Sequence, residues 1–127
     1  MFYIVESSKS FAEVIFDLEP VVQRLGFVVL QTQDLAELLQ QRQIDFDEDC
    51  QVFDLCNYRF MEKLLQCDKR LSLLQPWRIS VFTENGATKI GLIRPQALAG
   101  AFKTSPVLTR TLAEMEEKLI QIVDETR

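Results

Sequence analysis

Histidine is missing from the sequence altogether. Its absence excludes Ser-His-Asp and Cys-His catalysis, a histidine general base, and histidine-containing zinc sites. Cysteine is sparse, with three residues, and no two stand at Cys-x2-Cys spacing. An odd, scattered set is not a disulfide framework and gives no metal site, neither zinc nor iron–sulfur. Glycine is nearly as scarce, at four residues. Gly86, Gly91 and Gly100 make neither a phosphate-cradling loop nor a dinucleotide fingerprint, and no serine sits in a nucleophile elbow. No apolar run approaches the roughly 20 residues needed to cross a bilayer. Met1 to Ser10 lacks a basic start, an apolar core and a small-residue cleavage site. No secretory signal is therefore expected, and the cytoplasm is the expected location.

A basic stripe is also lacking. The formal charge is −5 and the pI is about 4.8. Lys and Arg come singly apart from Lys69-Arg70, so no nucleic-acid partner is expected. What is present is a globular composition, 47% hydrophobic and 26% charged. The length of 127 residues suits one domain, residues 1–127.

Read in order, Phe2 to Glu6 is β-branched and aromatic and predicts a strand. Ser8 or Ser10 caps a helix carrying Phe11, Val14, Ile15, Leu18, Val22 and Leu25, with Gly26 as its stop. Pro20 lies inside that pattern and predicts a kink or break near Leu18 to Glu19. Phe27 to Thr32 is the second strand. Asp34 caps a short helix reaching about Arg42, and Gln43 to Asp49 reads as an acidic loop. Gln51 to Cys56 is the third strand, and Tyr58 to Asp68 is a helix with Phe60, Leu64, Cys67 and Leu71 on one stripe. Trp77 to Glu84 and Thr88 to Ile93 flank Asn85-Gly86, the strongest short hairpin signal. A helical stretch follows from Pro95 to Phe102. Thr104 or Ser105 then caps a last helix that buries Leu108, Leu112, Met115, Leu119 and Ile122 and turns Glu114, Glu116 and Glu117 to water. Strand–helix–strand recurs at 2–32 and 51–83 and reads as a structural pseudo-repeat.

The second half carries a resemblance. A strand ending in Leu55-Cys56-Asn57, a helix entered at once, Gln75-Pro76-Trp77-Arg78-Ile79 opening a strand, and the Asn-Gly hairpin together resemble the domain-of-unknown-function family 302. Gly26-Phe27-Val28-Val29, opening the second strand, agrees with it. The resemblance implies a two-layer fold and a homodimer. That fold is α/β in the α+β sense, a mixed sheet of about five strands with helices mainly on one face, and the pattern of elements alone predicts the same class. Members commonly carry proline where this chain has Tyr58, and Pro-Cys-Arg where it has Pro76-Trp77-Arg78. Half of that cysteine pair is absent here, which undercuts any paired-thiol function carried over.

Four residues stand out as candidates. Cys56 lies between a strand and a helix; a helix N-terminus would lower its thiol pKa, whereas burial would make it a small hydrophobe. Cys50 and Cys56 share a strand face at about 20 Å along an extended chain, too far for a disulfide, and Cys67 sits on its helix's apolar stripe. Asn57 reads as a helix cap, with ligand contact as the alternative. Arg78 either binds an anion or pairs with Asp54 or Glu84. Trp77 walls a pocket or fills the core. Asp45-x-Asp47-x-Asp49 opens like an EF-hand loop, but Cys50 and Cys56 occupy the positions that need Gly and Glu, and calcium is rejected.

Three functions follow as expectations. The first is a homodimer binding a small anionic ligand at Cys56, Asn57, Trp77 and Arg78. The second is a thiol enzyme or redox sensor using Cys56, and the third is an interaction module without a ligand. No cofactor is indicated. The dimer surface is expected on the face carrying alternate residues of 77–84 and 88–93, unless the helices from Pro95 onward cover it.

Overall fold

The computed structural model describes residues 1–102 and 105–127. Local chemistry sets most element boundaries. β1 (Phe2–Ser7) is followed by α1 (Phe11–Arg24). Ser10 accepts from Glu13 N–H while Glu13 returns the bond to the Ser10 N–H, a capping box worth about 1 kcal/mol. Pro20 does not break α1, which runs continuously through it from Phe11 to Arg24. Proline removes the bond to the carbonyl of Phe16, and both residues lie on the exposed side of the helix. Water can solvate that carbonyl there, while Val14, Leu18 and Val22 stay fully buried and hold the helix together.

β2 (Val28–Asp34) ends in the residue that caps α2 (Leu35–Gln41), since Asp34 accepts from Glu37 N–H at 2.9 Å. β3 (Cys50–Cys56) leads into α3 (Tyr58–Cys67) and a 3-10 turn, Lys69–Leu74. The Gln75–Pro76 peptide is cis. β4 (Trp77–Glu84) and β5 (Ala87–Ile93) form the expected hairpin. Asn85 and Gly86 both take positive φ, 52° and 83°, as a two-residue turn of this kind requires. A second 3-10 turn, Pro95–Ala101, precedes α4 (Pro106–Thr126). Ser105 accepts from Leu108 N–H and caps α4; Thr104, the other candidate, lies outside the described residues.

The five strands lie in the order β1-β5-β4-β3-β2. The two-layer α+β architecture is as expected, but every strand pairing is antiparallel, so the sheet is not mixed. The reason lies in the two strand–helix–strand segments, which differ. β1 and β2 occupy opposite edges, and α1 crosses beneath the whole sheet between them. β3 and β4 are neighbours, because the 3-10 turn after α3 returns the chain to the end from which it left. The pseudo-repeat is therefore one of element order and not of topology.

Helices α1, α3 and α4 cover one sheet face. Phe53, Leu55, Trp77, Ile79, Val81, Ile90 and Leu92 point into this layer against Leu18, Leu64, Leu108, Leu112, Met115 and Leu119. Full burial of each large apolar side chain stabilises the fold by about 1.5–3 kcal/mol. All five residues expected to face inward from α4 do so. Glu116, expected to face water, is buried instead. Its carboxylate accepts from the backbone and side-chain N–H groups of Gln96, so it fastens the second 3-10 turn onto α4. The opposite sheet face carries Phe2, Ile4, Glu6, Lys89, Gly91, Ile93, Arg78, Ser80 and Phe82 by strand alternation. α4 does not cover it, because it packs on the other side with α1 and α3. Phe2, Ile4 and Ile93 are 62%, 50% and 46% exposed.

Candidate functional site

The register of β3 on β4 decides where the four candidates go. Leu55 pairs with Trp77 and Asp54 with Arg78. Successive residues of a strand face opposite ways, so Trp77 enters the helix-covered core while Arg78 stands on the open face. Trp77 is buried, and its indole N–H finds no acceptor among the described residues. The side-chain amide nitrogen of neighbouring Gln75 is in the same position.

Asn57 is fully engaged. Its amide oxygen accepts from Phe60 N–H at 3.1 Å and caps α3, while its amide nitrogen donates to the Gly26 carbonyl at 3.0 Å. Gly26 has φ of 88°, and a side chain there would be strained and would meet Asn57 Nδ2. Asn57 thus ties the turn after α1 to the corner between β3 and α3. Cys56 is buried, and desolvation pushes its thiol pKa up. That direction is opposite to what a helix N-terminus would produce, and it disfavours the thiolate. Cys50 is pushed up as well, chiefly by desolvation, with a hydrogen bond to Ser80 acting in the other direction. All three cysteines are free. Among the described residues no group of three or more Cys, Asp or Glu side chains is placed to hold a metal.

Arg78 donates from Nε to Asp54 Oδ1 at 2.8 Å, settling the choice between Asp54 and Glu84; Glu84 pairs with Lys89 instead. The Asp54 side chain is 9% exposed and that of Arg78 is 60% exposed. Asp54 therefore orients the guanidinium from below, and the terminal nitrogens of Arg78 make no hydrogen bond among the described residues. Two hollows adjoin this group. One, of about 240 Å³, lies on the open sheet face between Phe2, Ile4, Val52, Phe82 and Gly91. The other, of about 150 Å³, lies where β4 begins and β5 ends, lined by Leu74, Pro76, Trp77, Arg78, Ile93 and Leu98. Arg78 and Ile93 line both. Cys56 and Asn57 line neither.

The candidates are therefore divided: Arg78 and Trp77 border a hollow, and Cys56 and Asn57 build the corner beside them. Gly91 was missed by sequence reasoning, although a glycine inside a strand signals close approach of another group. A Cβ at Gly91 would lie 2.7 Å from Ile4 Cγ1, so its absence lets Ile4 lie down across β5. Leu74, Ile93 and Leu98 had no local signal; they meet only because the sheet end and the two 3-10 turns converge.

Comparison with known proteins agrees with this architecture. The family described as domain of unknown function DUF302 matches residues 3–126. A solved structure, the crystal structure of an uncharacterized conserved protein DUF302 from Bacillus stearothermophilus, superposes with a TM-score of 0.92 at 30% identity. The match covers 99% of this chain and 98% of that one. No curated protein matches. No helix among the described residues is long and apolar enough to cross a membrane. With the family pattern spanning residues 3–126 and the same fold in the Bacillus protein, this chain belongs to the DUF302 family.

Proposed function

We propose that the protein is a homodimer that binds a small anionic ligand at Arg78. The observation that carries this reading is a guanidinium standing between two apolar hollows, with Nε held by Asp54 and its terminal nitrogens facing outward. A held guanidinium presents a planar fork that matches a carboxylate or phosphate edge and loses little freedom on binding. Trp77 supplies the wall of one hollow. Asn57 and Cys56 belong to the frame: the first ties two turns together, and the second fills the corner.

The homodimer is supported by the open sheet face, where Phe2, Ile4, Phe82 and Ile93 form an apolar band on the side opposite α1, α3 and α4. A twofold pairing of that face would bury the band against itself. The thiol reading of Cys56 loses ground, because burial raises its pKa.

Thermal-shift and calorimetric titration with acetate, benzoate, sulfate and inorganic phosphate tests the ligand reading. A ligand at about 100 times its Kd stabilises the folded state by about 2.7 kcal/mol. At least one of these anions is expected to raise Tm by several degrees, and Arg78→Gln to abolish the shift. No stabilisation by any of them, or stabilisation unaffected by Arg78→Gln, retires the proposal.

A further inference from the structure

We infer that the ligand is a monocarboxylate with a ring-sized apolar body, seated in the hollow at the sheet end. This deepens the reading of Arg78 as an anion contact and rests on it. Size comes first. The hollow measures about 150 Å³, and a cavity of about that volume accommodates a benzene ring. A nucleotide far exceeds that volume. Lining comes second. Leu74, Pro76, Ile93 and Leu98 surround the space, Trp77 closes it, and among the described residues Arg78 is the one charged group on its wall. A polyol placed there would lose its hydration without recovering hydrogen bonds.

Charge is the third argument. Arg78 is already paired with Asp54 at 2.8 Å, so the local charge is close to neutral. A dianion such as phosphate would face the Asp54 carboxylate with Arg78 as the one cation on the wall among the described residues. A carboxylate carries a single charge and two oxygens, and it can engage the terminal nitrogens while Asp54 keeps Nε. The larger hollow on the sheet face is the weaker candidate. It lies on the apolar band proposed to meet a second copy, whereas the smaller one opens at the end of the sheet, at the rim of that band. Ring against ring, Trp77 and an aryl group would add contact of the kind aromatic pairs favour.

Benzoate is the probe. Trp77 is the one tryptophan in the chain, so its indole N–H gives a single resonance in a ¹H–¹⁵N spectrum and reports directly on the hollow. Benzoate is expected to shift that resonance saturably, and inorganic phosphate to leave it in place. Arg78→Gln paired with Asp54→Asn, which avoids stranding a buried carboxylate, is expected to raise the benzoate Kd at least tenfold. Leu98→Trp, which fills the hollow, is expected to do the same, its Kd read by calorimetric titration because the variant carries a second indole; Leu98→Phe serves if the larger residue prevents folding. Ser80→Trp on the sheet face, titrated the same way, is expected to leave Kd unchanged. Phosphate binding that depends on Arg78 and equals or exceeds benzoate binding overturns this inference and leaves the anion reading standing. Loss of benzoate binding in Ser80→Trp but not in the Leu98 variants overturns the placement. Absence of binding by either anion at millimolar concentration removes both.

Discussion

Gly91 offers the sharpest test of how the open face is built. Replacing it with alanine puts a Cβ 2.7 Å from Ile4 Cγ1, 3.3 Å from the Tyr3 carbonyl oxygen and 3.4 Å from Ile4 Cβ. The first distance cannot persist, so the Ile4 side chain must rotate or β1 must move. Overpacking of this kind costs about 1–3 kcal/mol. Alanine returns about 0.4–1 kcal/mol by narrowing the unfolded ensemble. Ile4 is half exposed and free to yield, which places the cost near the low end. The expected balance is a loss of about 0.5 kcal/mol, seen as a drop in Tm of about 2 °C for a chain of this size. The assay is a double-mutant cycle by urea or thermal unfolding. Ile4→Ala removes Cγ1 and leaves only the two ordinary-to-tight contacts, so Gly91→Ala should stabilise by about 0.5 kcal/mol in that background, a coupling of about 1 kcal/mol. A stabilised Gly91→Ala, or an equal cost with and without Ile4, would refute the claim that glycine is there to seat this side chain.

Two further predictions concern the thiols and the assembly. The Cys56 thiol pKa is raised by burial, so its contribution to stability is fully present below the unfolded-state value and is lost as pH rises through the folded one; iodoacetamide at pH 7 should label Cys56 in urea and spare it in buffer, and labelling faster than a free thiol in the native state would restore the redox reading. Light scattering at micromolar concentration should give twice the 14.7 kDa chain mass, and Phe82→Asp on the open face should return it to 14.7 kDa; wild-type protein at the single-chain mass across that range excludes the dimer.

Local chemistry was legible. Asn85-Gly86 announced its hairpin, Asp34 and Asn57 announced their helices, and the spacing from Leu108 to Ile122 announced the buried side of α4. These signals sit within a few residues of what they determine. What the sequence did not disclose depends on partners far along the chain. Nothing in Phe2 to Ser7 says that it pairs with β5, so an all-antiparallel sheet was not foreseeable. Glu116 looks like a solvated glutamate until Gln96 is brought against it. Pro20 is a breaker by rule and harmless in fact, because it and Phe16 share the wet side of α1. At the candidate site, Arg78 and Trp77 were found through their neighbours in sequence, while the hollow between them needed Leu74, Ile93 and Leu98 from three other segments.

The order of the strands also sets an order of events. Phe2 pairs with Ile93, and Ser7 Oγ donates to the carbonyl of Arg127 while the Arg127 guanidinium donates to the carbonyl of Glu6. β1 thus has no edge to join until the hairpin at Asn85-Gly86 has closed and α4 has been made. Until then its Phe2, Ile4 and Val5 side chains travel unpaired, the interval in which a nascent chain is most exposed to misassociation. Pairing segments as far apart along the chain as Phe2 and Ile93 is slow by loop-closure entropy. β1 is accordingly a late arrival, docking onto a sheet assembled without it, and Arg127 acts as the latch that holds it once it is there.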